Sequence, residues 1–273
     1  MIARRGAAFR AGTLLLGFGF LYAPIVLLVI YSFNVSRLVA VWAGFSVHWY
    51  RVLIADEQFR AAAATSLEVA TTAASLALML GTFGGFVLAR FTRFPGRGLF
   101  GFALLAPLVV PEIILGLSLL LFFVACQDVI GFPAGRGIMT ITIAHATFGA
   151  SFVAVLVRAQ LAVFDRALEE AALDLGARPW AVLAHITLPG IRPALISGWL
   201  LAFTLSLDDL VVASFVTGPS ATTLPMAVFS SVRLGVSPEV NALATVFLGV
   251  VFVLVAAAFR LMARQQSRRV HTG

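Results

Sequence analysis

Three stretches of this chain, residues 11–36, 137–157 and 240–259, run for about twenty residues or more without an Asp, Glu, Lys or Arg. That length spans the ~30 Å hydrocarbon core of a bilayer as an α-helix. In lipid no water is available to pair exposed backbone groups, so only helices and closed barrels can cross. Three further long segments hold only isolated acids: Glu68 in 61–89, Glu112 in 98–127, and Asp208 with Asp209 in 193–232. The pattern predicts an all-α membrane protein with six transmembrane helices, near 12–33, 63–89, 99–125, 137–157, 195–217 and 240–260. Composition agrees, with 61% hydrophobic and 11% charged residues, against about 25% charged in soluble domains.

The net charge of +7 raises nucleic acid as a partner, but the placement of the arginines points to the lipid bilayer. With the N-terminus inside, inner segments hold Arg4, Arg5, Arg10, Arg90, Arg93, Arg97, Arg158, Arg166, Arg178, Arg192, Arg260, Arg264, Arg268 and Arg269. Only Arg37, Arg51, Arg60, Arg136 and Arg233 fall outside. This bias toward the inside predicts that both termini and the loop 158–194 are cytoplasmic. The first apolar stretch is too long for a signal-peptide core and lacks a small-x-small cleavage site, so it reads as the first span.

The expected organisation is an N-terminal tail, first span and outer loop over 1–60, a membrane core over 61–261 containing the inner loop 158–194, and a cytoplasmic tail over 262–273. Trp42, Trp49 and Tyr50 in the first outer loop suit the membrane interface. Residues 218–239 form a second, partly helical outer segment. The single Cys126 has no intrachain disulfide partner, and a small apolar packing role is expected for it.

Within the inner loop, Asp165 can cap a helix through Glu169, Glu170 and the alanines, and Gly176 can take a positive φ at its end. Pro179 then suits the first turn of a second short helix running to Ile186, and Pro189 ends it. Two short helices joined at a glycine make a compact knob, with Ala171 and Ala172 admitting a close partner surface. An amphipathic loop lying on the bilayer would account for the charges but not for the spacing.

Nucleotide chemistry is excluded from the chain itself. It contains no lysine and no G-x-x-x-x-G-K-[ST], so ATP and Mg, if used, are bound by another polypeptide. The histidines, His48, His145, His185 and His271, form no ligand pair, so no metal site is expected. There is no G-x-S-x-G or H-E-x-x-H to suggest hydrolysis.

The intramembrane acids carry chemistry, because a carboxylate at the helix centre costs about 2.5–3.5 kcal/mol and faces a cavity or partner. Glu112 and Asp208 each lie about thirteen residues into an outward-running span, or ~20 Å above the inner face. His145, about eight residues into an inward-running span, falls at nearly the same depth. One layer thus collects Glu112, His145, Asp208 and Asp209, and it suits a cation carrying ammonium groups. Asp208 and Asp209 point ~100° apart on a helix, so at least one is available to cap a helix break or bond a partner subunit. Glu68 reads as an interface residue, and Pro107 with Pro111 predicts a kinked, pore-lining third helix.

The inner-loop residues Glu170-Ala171-Ala172, Gly176, Ile186, Leu188 and Pro189 stand in the register EAA-x3-G-x9-I-x-LP. This resembles the coupling loop of permeases of binding-protein-dependent ABC importers. Phe20 to Pro24, Val29 to Asn34, Val41 to Gly44, Glu169 to Gly176, Ser197 to Trp199, Phe203 to Asp209 and Gly235 to Ala242 resemble the polyamine permeases, and the first and third blocks look closest to putrescine importers. The resemblance implies a type I importer fold in the bacterial inner membrane. It also implies a second related permease, two copies of a cytoplasmic ATPase and a periplasmic polyamine-binding protein as partners. Glu169, Glu170, Ala171, Ala172, Asp174, Gly176, Ile186, Leu188 and Pro189 would then couple to the ATPase, and Ser206 to Asp209 would match the family's membrane acidic stretch. Permeases for spermidine, iron or anions are the alternatives, followed by a stand-alone secondary transporter.

Overall fold

The computed structural model describes residues 2–37, 41–219, 221–234, 238–249 and 252. Among them the only strand pairing is an isolated antiparallel bridge between Asn34 and Phe45; nearly everything else regular is helical. The helices are α1 (Ile2–Ser32), α2 (His48–Ala55), α3 (Glu57–Arg90), α4 (Arg97–Leu105), α5 (Glu112–Ile130), α6 (Ile138–Val163), α7 (Ala167–Asp174), α8 (Pro179–Val182), α9 (Leu188–Gly190), α10 (Arg192–Asp208), α11 (Val211–Val216) and α12 (Leu224–Leu234). Residues 238–249 are also helical.

By length and composition, Gly12–Ser32, Glu57–Arg90, Glu112–Ile130 and Ile138–Val163 can each cross a membrane. They cover the spans read near 12–33, 63–89 and 137–157 and the C-terminal part of 99–125. The third span is broken rather than kinked: α4 runs into a 3-10 turn at Ala106–Leu108, and α5 starts afresh at Glu112. Pro107 and Pro111 lack the N–H donors a continuous helix needs, and Pro111 sits in extended backbone (φ −55, ψ 139) as the residue before α5. The fifth span is also interrupted, because Asp209 turns extended (ψ 126) between α10 and α11. The sixth expected span, 240–260, is described only to residue 249 and at Phe252. The segment 218–239 contains α12, as its partly helical reading required.

The chain divides into two compact units, Met1–Phe59 with Val228–Gly273, and Arg60–Ala227. In the first, the loop after α1 folds around Asn34, which is 1% exposed. Its Nδ2 donates to the Val41 carbonyl at 2.6 Å and its Oδ1 accepts from Ala43 N–H at 2.9 Å. Its carbonyl accepts from Trp49 Nε1 at 2.7 Å. Trp49 is therefore a buried anchor and not an interface ring as its type suggested, whereas Trp42 stays half exposed.

The second unit is built on a seam of small residues. A Cβ placed at Gly81 of α3 would lie 2.5 Å from the Ala150 carbonyl oxygen and from Val153 Cβ of α6. One at Gly85 would lie 2.7 Å from the Ala154 carbonyl oxygen. Gly198 and Ala202 of α10 meet the same α6 residues, Val153 and Gly149, and Trp199 Nε1 of α10 donates to Ser75 Oγ of α3 at 3.2 Å. Lipid tails are as apolar as leucine, so helix association in a membrane depends on such close van der Waals approach. The result is a tightly packed α3–α6–α10 slab whose buried side chains include Ala74, Ala77, Val153, Val157 and Ala202.

Candidate functional site

Two places in the second unit concentrate polar chemistry. The first is the knob between α6 and α10. Asp165 Oδ1 accepts from Ala167 N–H at 2.9 Å and starts α7. At the other end Gly176 has φ +86. There the Ala177 N–H reaches the Ala172 carbonyl at 3.0 Å and the Gly176 N–H reaches the Leu173 carbonyl at 2.9 Å. This pair of bonds is the Schellman closure, and it satisfies carbonyls that the helix end would leave unpaired. Pro179 opens α8, as its position predicted. The second arm does not stop at Pro189, however. A π-helical turn, Leu183–Thr187, leads into α9, and the arm ends at Gly190. The widened turn precedes the position at which Pro189 offers no N–H. This arm meets α10 at 72°.

The adjacent acids of the loop face opposite ways. Glu169 Oε1 accepts from Arg90 Nη2 at 2.9 Å and from Thr187 Oγ1 at 2.7 Å, while Glu170 is exposed. Ala171, Asp174, Gly176 and Pro189 are exposed, and Ala172, Ile186 and Leu188 are half-buried. Leu175 at 89% and Trp180 at 65% exposure add an apolar tip that the motif did not single out. The sequence marks Arg90 only as one of the inner arginines and Thr187 not at all, because their role depends on contacts with Glu169 across 79 and 18 positions.

The second place is a cavity of about 540 Å³ at the two helix breaks. Its wall includes Pro111 and Glu112 from the broken third span, Phe148 and Phe152 from α6, and Leu205, Asp208 and Asp209 from α10 and the turn after it. Three of the four residues expected in one layer, Glu112, Asp208 and Asp209, thus share a cavity wall. His145 lies behind that wall at 2% exposure.

The two aspartates differ in what they do. Asp209 accepts from Ala213 N–H at 2.7 Å, from Val212 N–H at 3.3 Å and from His145 Nε2 at 3.1 Å, so it caps α11. His145 Nδ1 in turn lies 2.6 Å from Ser206 Oγ. Because the carboxylate only accepts, Nε2 carries a hydrogen and Nδ1 is left to the Ser206 hydroxyl. Asp209, His145 and Ser206 therefore form a closed polar joint across the α10–α11 break. Among the described residues, no other side chain donates to Glu112 or Asp208; Asp208 keeps a backbone hydrogen bond, and both carboxylates line the cavity. Glu68 is exposed on α3, and Cys126 is half-buried on α5. No group of three His, Cys, Asp or Glu among the described residues is placed to hold a metal ion.

Residues 62–272 match the family model of the binding-protein-dependent transport system inner membrane component. The chain is 58% identical over 257 residues to the putrescine transport system permease protein PotI of Escherichia coli strain K12, covering 94% of this chain and 92% of that protein. It is 40% identical over 263 residues to the spermidine/putrescine transport system permease protein PotC of the same strain, covering 96% and 97%. The fold is shared with a bacterial ABC transporter involved in import of the acidic polysaccharide alginate, with TM-score 0.72, 19% identity and 95% and 96% of the two chains covered. It is shared also with the inward-facing MetNI methionine ABC transporter, with TM-score 0.60, 17% identity and 81% and 98% covered. It is a multi-pass membrane protein with the fold of type I ABC importer permeases, and the chain belongs to the family of binding-protein-dependent transport system inner membrane components.

Proposed function

We propose that this chain is a membrane subunit of an ATP-driven importer for polyamines, with putrescine as substrate. The observation that carries the reading is its 58% identity to a putrescine permease over 94% of the chain. The cavity supports a cationic substrate, since its wall contains Glu112, Asp208 and Asp209 and no basic side chain. Each hydrogen bond from an ammonium group to a carboxylate contributes about 1.5–3 kcal/mol, and two open acids suit the two ends of a short diamine. Anion permeation, by contrast, would oppose that charge. In this reading Glu112 and Asp208 contact the substrate, and Asp209 with His145 holds the joint beside them.

Both termini and the knob lie on the cytoplasmic side. The knob, with Glu170, Ala171, Ala172, Asp174, Gly176, Ile186, Leu188 and Pro189, docks on an ATPase that binds ATP and Mg. Two copies of that ATPase, a second related permease and a periplasmic polyamine-binding protein complete the complex. Closure of the ATPases displaces the knob, which passes its motion to α6 and α10 through the covalent chain. The breaks at 109–111 and 209–210 are the places where the helices can bend and open the cavity to one side or the other.

Deletion of the gene, followed by uptake of labelled putrescine with and without a complementing copy, tests this. Loss of uptake that the wild-type copy restores is the expected result; unchanged putrescine uptake with loss of spermidine, iron or anion uptake would reassign the substrate.

A further inference from the structure

The knob is covalently continuous with α6 and α10 but not with α3, whose chain turns away after Arg90 toward α4. We propose that Arg90, Glu169 and Thr187 form a clasp that makes α3 follow the knob, so that ATP-driven displacement is delivered to the whole α3–α6–α10 slab. This rests on the reading of the chain as a subunit of an ATP-driven importer, and it assigns Arg90, Glu169 and Thr187 as positioning residues for coupling.

One carboxylate oxygen gathers three segments. Glu169 stands in the first turn of α7, the first arm of the knob. Thr187 closes the π-helical turn in the second arm, is 1% exposed, and donates its hydroxyl to Glu169 Oε1 at 2.7 Å. Arg90, the last residue of α3, donates from Nη2 to the same Oε1 at 2.9 Å and from Nη1 to the Leu161 carbonyl of α6 at 3.2 Å. A reciprocal bond runs from Arg166 Nη2, just before α7, to the Ala89 carbonyl at 3.2 Å.

The Arg90 and Glu169 side chains are only 11% and 15% exposed, so the ion pair is screened far less than a surface pair. Arginine presents several donors in a fixed plane, which lets one guanidinium hold both the carboxylate and the α6 carbonyl. Glu170, one residue on, points outward and stays free for a partner. A motion applied at the exposed tip therefore reaches α3 through Arg90, while the small-residue seam carries it to the same helix deeper in the membrane. Without the clasp, the covalent path through α6 and α10 persists and the cytoplasmic end of α3 is released.

The test uses the full complex in proteoliposomes, with the binding protein and putrescine, and reads ATP hydrolysed per putrescine imported. Glu169→Gln keeps an acceptor for Thr187 but removes the charge, Arg90→Met keeps the apolar stem, and the double variant Arg90→Glu with Glu169→Arg restores an ion pair. Both single variants are expected to retain substrate-stimulated ATP hydrolysis within about twofold and to raise the ratio about tenfold, the loss of one charge-assisted bond. The swapped pair restores the ion pair but neither the Thr187 bond nor the Leu161 bond, so it is expected to return part of the way to the wild-type ratio.

An unchanged ratio in assembled single variants overturns the clasp, as does a parallel fall in both rates through loss of the ATPase. Absence of ATP-driven uptake by the wild-type complex would instead overturn the importer reading. A second measurement does not depend on the variants assembling well. Spin labels at Thr92→Cys and at the exposed Ala184→Cys on the second arm, outside the docking residues and in a Cys126→Ala background, are expected to keep one distance with and without nucleotide, and a distance that changes between those states contradicts the clasp.

Discussion

Replacement of Gly176 by valine isolates the backbone geometry of the knob from its packing. Gly176 has φ +86, and a Cβ built there meets nothing within 4 Å, so no steric clash with a neighbour enters the cost. What remains is the conformational penalty of placing a β-branched residue in the left-handed region, about 1–3 kcal/mol. The turn is held by the backbone bonds of Leu175 to Ala171, Gly176 to Leu173 and Ala177 to Ala172, and Leu175 is 89% exposed. Such a tip has little local stability with which to absorb strain. The penalty therefore appears as a loss of the docking-competent shape, lowering ATPase affinity between about fivefold and a hundredfold. Asparagine tolerates the same region, so Gly176→Asn is expected to stay near wild type. The assay is ATPase retained on the purified membrane subunits, with ATP-dependent putrescine uptake in parallel. Equal retention and equal uptake for the valine, asparagine and wild-type proteins would refute the argument that the positive φ shapes the docking surface.

Neutralising the open acids, Glu112→Gln or Asp208→Asn, is expected to lower putrescine uptake about tenfold to a hundredfold in assembled complexes, and wild-type rates in both would remove them from the path. Asp209→Ala breaks the α11 cap and the His145 contact and should lower the thermal midpoint of the purified protein. In the seam, Gly81→Leu forces a side chain against the Ala150 carbonyl 2.5 Å away and should cost about 1–3 kcal/mol or more. Gly98→Ala, where nothing lies within 4 Å, should be neutral or stabilising in the same melting experiment. For topology, Val41→Cys in a Cys126→Ala background should react with an impermeant thiol reagent from outside intact cells, and Leu175→Cys only after permeabilisation. Labelling of Leu175→Cys from outside would reverse the assigned orientation.

What could be read from the chain follows from the range of the forces involved. Lipid imposes long charge-free helices one segment at a time, so α1, α3 and α6 are visible as composition alone. Gly176 is legible for the same reason, because the chemistry of a helix end is local to a few residues. Pro107 and Pro111 announced a disturbance of the third span, but whether a helix kinks or breaks depends on the cavity it borders. The interruption at Asp209 has no proline to mark it, but the Asp208–Asp209 pair offers a cap for a helix break, and Asp209 caps α11. Its bond to His145 of α6, which Ser206 at the end of α10 holds in turn, joins residues too far apart in the chain to be read from it. Glu169 and Glu170 are alike in sequence and opposite in use, since only the return of Arg90 from α3 decides which of them is held inside. Trp49 likewise has the chemistry of an interface residue, and its burial comes from the folded loop around Asn34.

The central claim is that this chain conducts a polyamine only as part of an ATP-driven assembly. Proteoliposomes containing the chain with its proposed partner permease and ATPase, supplied with binding protein and labelled putrescine, measure this directly. Accumulation of putrescine above the external concentration that requires ATP hydrolysis and the binding protein is the predicted result. Accumulation by this chain alone, or uptake by the full assembly that proceeds equally without ATP, would contradict the account.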